Sequence, residues 1–152
     1  MIGEGHGFKY KTKKYNYNYL EYEGEYLCNK KWNGKGYDEK GNLIYELIDG
    51  NGKVKEYDKN NNLIFDGKYL NGKRSGKGKE FIEKGNIIFE GEYLNGQRNG
   101  KGKEYDKYNN MIFEGEYLNG QKWNGIEREY SYKNKLEFET EYINGDKRKI
   151  EV

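Results

Sequence analysis

The side chains best suited to chemistry are scarce in this chain. His6 is the single histidine and Cys28 the single cysteine. Together they could supply a nucleophile and its base, but no third group is spaced to orient them, as a catalytic relay requires. One cysteine and one histidine cannot build a zinc site. The stretches 58–62 and 106–110 offer oxygen ligands yet lack the glycine and terminal glutamate of a calcium loop, so they read as turns. Gly100-Lys101-Gly102-Lys103 has the composition of a phosphate cradle, but no helix-forming stretch follows it. Carboxylates recur at repeat spacing, and a charged sheet surface accounts for them better than general acid–base chemistry. The expectation is a protein without an active site, a metal or a cofactor.

What remains is binding. Lys30-Lys31, Lys73-Arg74, Arg98 and Lys122 stand at equivalent points of successive turn regions. On a ribbon they would form a row of basic loop tips, each worth up to ~1 kcal/mol against anionic lipid headgroups. Trp32 and Trp123 also occupy equivalent positions, each beside Asn-Gly. With Tyr69, Tyr93 and Tyr117 they are the candidates for gripping a protein partner, because such rings give large, rigid contact area. Nucleic acid is disfavoured, since 28 basic and 26 acidic residues leave a net charge of only +2.

These residues are positioned by a repeat. The stretches 65–81, 89–105 and 113–130 read FDGKYLNGKRSGKGKEF, FEGEYLNGQRNGKGKEY and FEGEYLNGQKWNGIEREY. About six units cover the 152 residues as one domain. They are clearest at 65–88, 89–112 and 113–137 and degenerate at 1–23, 24–47, 48–64 and 138–152. Hydrophobic residues make up only 33%, which would suit a disordered chain, but 17 tyrosines and a near-zero net charge argue for folding. Tyrosine buries a ring while its hydroxyl stays wet, which suits a thin structure without a deep core. The absence of proline fits strand ladders, and glycines interrupt every stretch that could be helical. Each unit carries two strand signals and two turns, so an antiparallel meander is expected.

A symmetric loop over 95–100 would place Tyr93 opposite Gly102 and Glu92 opposite Lys103. One face would then carry Phe89, Gly91, Tyr93 and Gly102, with rings lying over glycines, and the other Glu90, Glu92 and Lys103.

At 91–103, GEYLNGQRNGKGK, the pattern resembles the MORN (membrane occupation and recognition nexus) repeat. Gly67, Gly91 and Gly115, the aromatics Tyr69, Tyr93 and Tyr117, and the pairs Gly76/Gly78 and Gly100/Gly102 carry the likeness. Val54 and Glu127 depart from it by replacing glycines. The spacing is also similar to MORN-variant repeats of bacterial antitoxin-like proteins. The resemblance implies an all-β, single-layer antiparallel hairpin solenoid, an elongated curved ribbon used for binding. Its implied roles are protein scaffolding through a tyrosine-lined groove, phosphoinositide or anionic-membrane association, antitoxin-like or immunity-like binding, and homodimer formation. With a lone cysteine, no run of apolar residues long enough to span a bilayer and no signal-peptide pattern, the expected location is cytoplasmic, peripheral to a membrane in the lipid reading.

Overall fold

The computed structural model describes residues 9–16 and 18–150, so His6 lies outside the described residues. Thirteen strands follow one another: β1 (Lys9–Asn16), β2 (Tyr19–Leu27), β3 (Lys30–Tyr37), β4 (Leu43–Leu47), β5 (Gly52–Tyr57), β6 (Leu63–Leu70), β7 (Lys73–Phe81), β8 (Ile87–Leu94), β9 (Gln97–Tyr105), β10 (Met111–Leu118), β11 (Gln121–Tyr130), β12 (Leu136–Ile143) and β13 (Asp146–Lys149). Among the described residues only a short 3-10 turn, Glu83–Gly85, interrupts them. The strands form two open sheets, β1–β4 and β5–β13; within each, every strand pairs antiparallel with its neighbour in sequence, and neither sheet closes into a barrel. The expected meander is therefore present, but divided.

The division falls in the shortened unit. Between Tyr45 and the Asp49-Gly50 turn the chain is two residues shorter than between Phe65 and Asn71-Gly72. Strands β4 and β5 are joined only by an Ile48–Asn51 bridge. Leu47 and Val54 occupy the interior there and pack with Tyr22, Tyr26 and Tyr45.

The register differs from the symmetric-loop expectation. Gly91 pairs with Gly102, Glu90 with Lys103, Tyr93 with Arg98 and Leu94 with Gln97. The reason is the turn: Asn95 (φ 51°) and Gly96 (φ 87°) alone make it, both left-handed, as a tight two-residue hairpin requires. An irregularity between Gly91 and Tyr93 then absorbs the two surplus residues on β9. The face assignment survives, because Phe89, Gly91 and Tyr93 still alternate with Glu90 and Glu92.

On the inner face the rings lie over glycine. A Cβ at Gly102 would sit 2.6 Å from Phe89 Cε2, and one at Gly78 2.8 Å from Phe65 Cζ. Phe65, Phe89 and Phe113 are fully buried. Each meets tyrosines edge-on: Phe65–Tyr93 at 5.4 Å, Phe89–Tyr93 at 5.6 Å, Phe89–Tyr117 at 5.3 Å and Phe113–Tyr117 at 5.2 Å. Such T-shaped pairs each add ~0.5–1.5 kcal/mol beyond the area they bury.

The turns also stack. Gly72 N–H donates to the Gly50 carbonyl, Gly96 to Arg74, Gly120 to Arg98 and Gly145 to Trp123, all within 2.8–2.9 Å. Beside this ladder, Asn51, Asn99 and Asn124 side chains accept the backbone N–H of Asn71, Asn119 and Asn144. At the opposite edge, Asp38, Asp58 and Asp106 each accept N–H groups two and four residues on. That is the side-chain pattern that closes a turn, and it commits those carboxylates.

Candidate functional site

The tyrosine positions are brought together, but inside the molecule. Tyr93 is 4% and Tyr117 3% exposed, and Tyr69 is half-buried between the two aromatic clusters. Their rings are spent on the neighbouring phenylalanines. Above them lies a second layer of paired charges. Arg98 stacks on Phe89 with its Cζ 4.1 Å from the ring centre. Its guanidinium donates to both oxygens of Glu80, at 3.1 and 2.9 Å, and to Glu104 at 2.5 Å. Arg74 repeats this over Phe65 (4.1 Å), donating to both oxygens of Glu56 at 2.9 Å. Lys122 caps Phe113 and bridges Glu104 (3.1 Å) and Glu127 (2.6 Å). Lys31 caps Tyr22 and reaches Glu21 at 2.8 Å. The hydroxyls of Tyr69 and Tyr93 donate to Glu56 and Glu80, each at 2.6 Å.

The expected row of basic loop tips is therefore corrected. Lys31, Arg74, Arg98 and Lys122 lie within strands, face inward and are matched to carboxylates. The two-residue turns moved them out of the loops. The titration of their partners reflects this. Burial alone would raise the Glu80 pKa, but hydrogen bonds from Arg98 and Tyr93 outweigh it and hold the group below its ordinary range. Glu56 is held down in the same way by Arg74 and Tyr69. Burial pushes Tyr22 and Tyr26 up to about 12, and Tyr69, Tyr93 and Tyr117 higher.

The two tryptophans are not brought together; one sits in each sheet, on the turn stack. A Cβ at Gly50 would lie 2.8 Å from Trp32 Cζ3, and one at Gly145 3.2 Å from Trp123 Cζ3, so each indole covers the next turn. Lys30 is half-buried with its stem against Gly72, and Lys73 is exposed beside Gly96. Cys28 is exposed in a turn. Among the described residues no three His, Cys, Asp or Glu side chains gather as metal ligands, and no helix is long and apolar enough to cross a membrane.

The open space is on the other face. A trough of about 770 Å³ runs across β5–β10, floored by the backbone of Gly67, Gly78, Gly91, Gly102 and Gly115. Two rows of charged side chains border it, about 7 Å apart, because they lie two residues apart along each strand. In one row the signs alternate strand by strand through Lys55, Asp66, Lys79, Glu90, Lys103 and Glu114. The row includes ion pairs Lys79–Glu90 at 3.5 Å and Lys103–Glu114 at 3.2 Å. The other row reads Lys53, Lys68, Lys77, Glu92, Lys101 and Glu116. Next to it, Leu70, Leu94 and Leu118 end their strands exposed, again one per repeat. This trough is the open surface that the inner-face reading missed. Its signal was present in FDGKYL against FEGEYL, where Lys68 takes the place of Glu92 and Glu116.

No family model matches the chain, and no curated protein matches it.

Proposed function

We propose that the chain is a non-enzymatic interaction scaffold of the MORN-like kind that holds a protein partner on the outer face of its ribbon. The observation that carries this reading is the contrast between the faces. The inner face is filled by its own rings and sealed by its own ion pairs. The outer face keeps a glycine-floored trough between charged rows and exposed leucines. Binding there removes little internal structure, whereas engaging Tyr93 or Tyr117 would first require opening the Arg98–Glu80 layer.

An anionic-membrane role is the lesser reading, since four of the six cations it relied on are tied to carboxylates. A photo-crosslinker placed at position 101, on the trough, tests the choice in an extract of the source cells. The expected result is a specific partner band that the double reversal Lys79→Glu/Lys103→Glu abolishes while circular dichroism stays unchanged. Neutralising Lys30 and Lys73 should leave the band intact. A band that ignores the trough reversal, or salt-sensitive vesicle binding that depends on Lys30 and Lys73, would sink the proposal.

A further inference from the structure

The alternation of sign along the trough has one break, at Lys68. It stands directly opposite Lys53 in the β5–β6 pair. On its other side is Lys77, one step outward from the Gly67–Gly78 pair. Three lysines thus lie abreast, where like charges directly opposite are unfavourable. At the equivalent place in the next unit, Glu92 faces Lys77 and accepts the backbone N–H of Lys101 at 2.8 Å. Glu116 and Glu25 accept instead from the side-chain amides of Asn124 and Asn33. A lysine side chain has no acceptor to offer, so here both the carboxylate and its negative charge are missing and a cation stands in their place. Lys53, Lys68 and Lys77 are exposed, and none makes an ion pair or side-chain hydrogen bond with another described residue. Nearby, Asp66 is too short to answer them; its Oδ1 has no donor and its other oxygen is 4.0 Å from Lys55.

Resting on the scaffold reading, we infer that the Lys53–Lys68–Lys77 cluster is the anchor for an acidic, extended segment of the protein partner, whose carboxylates replace the missing glutamate. The rest of the trough argues for a peptide. Glu90, Glu92, Glu114 and Glu116 project from the same face and would repel a uniformly anionic sheet of headgroups, whereas a segment with acidic residues confined to one end avoids them. Leu70, exposed two residues beyond Lys68 on the same face, offers that segment an apolar contact.

The test uses the full chain and a fluorescent octaglutamate peptide, followed by anisotropy at low and physiological ionic strength. Lys68→Glu restores the residue type that Glu25, Glu92 and Glu116 supply in their units, so it should melt no lower than the parent. It should weaken octaglutamate binding at least ~10-fold, whereas Lys101→Glu, the same charge change in the same row, should weaken it less than threefold. Equal losses in both variants, no loss at Lys68, or no binding by the parent would each overturn the inference. So would inorganic phosphate or anionic vesicles binding in a Lys68-dependent way and displacing the peptide. If a partner still crosslinks to position 101 while octaglutamate ignores Lys68, this inference falls and the scaffold reading stands.

Discussion

Phe89 and Phe138 occupy the same place in two copies of one repeat, yet Phe89 is fully buried and Phe138 is 57% exposed. The difference lies in what each ring would rest on. Phe89 lies over Gly91 on its own strand and Gly102 on the next. The corresponding positions beside Phe138 are Thr140 and its pairing partner Lys149. Thr140 is buried and takes the space of the ring, and a lysine adds a Cβ where β9 had none. Among the described residues no arginine caps Phe138, and Lys149 comes no nearer than 5.9 Å to its ring centre. A phenylalanine at repeat spacing is therefore core only where glycines beneath and a paired cation above make the slot.

The comparison breaks most visibly under truncation. Phe89→Ala should cost ~3–5 kcal/mol by urea denaturation, as expected for a large buried ring. Phe138→Ala should stay within ~0.5 kcal/mol, as at ordinary surface positions. Equal costs would mean that the open end is packed in solution.

The centre should also respond to pH from both sides. The buried tyrosines have folded pKa values above the ordinary 10.0, with Tyr22 and Tyr26 near 12. Their neutral forms support the fold fully below pH 10, and that contribution is lost as pH rises through 10 towards 12. Glu56 and Glu80 are held below the ordinary 4.5. Their contribution is present above pH 4.5 and is lost as pH falls through their folded values. The urea midpoint should thus be flat between about pH 6 and 9 and fall outside that window. An acid limb that persists in a Glu56→Gln/Glu80→Gln variant would assign it to other carboxylates.

The smallest effect concerns the turn stack. Asn51, Asn99 and Asn124 each bond the following turn, but Ser75 stands at that position beneath Asn95. Ser75→Asn should complete the series and raise stability by about 0.5 kcal/mol, the low end for a hydrogen bond. A neutral or negative result would show that the bulge at Gly76 (φ 64°) holds the side chain away from the turn.

Much of this architecture was legible beforehand. Asn-Gly between alternating segments announces a tight hairpin, and Phe-x-Gly-x-Tyr announces a ring over a glycine. The register was less legible, because 95–100 can be drawn as a wide loop or as a two-residue turn followed by a bulge. The choice decides whether Arg98 is a loop tip or an inward-facing cap, since a shift of one residue exchanges the faces of a strand. The trough was hidden for the same reason: its rows exist only once each strand is aligned with the next.

The repeat, the meander of hairpins, the near-neutral charge and the departure at Lys68 are properties of the amino-acid order alone, because local turn chemistry and side-chain alternation require no distant contact. Which face is filled and which is open was decided only in the folded chain. Tyr93 and Tyr117 reach over Gly78 and Gly102 of the unit before their own, Arg98 pairs with a glutamate 18 residues away, and cross-strand register sets the charged rows side by side. Those arrangements depend on contacts between units, and no single unit carries them.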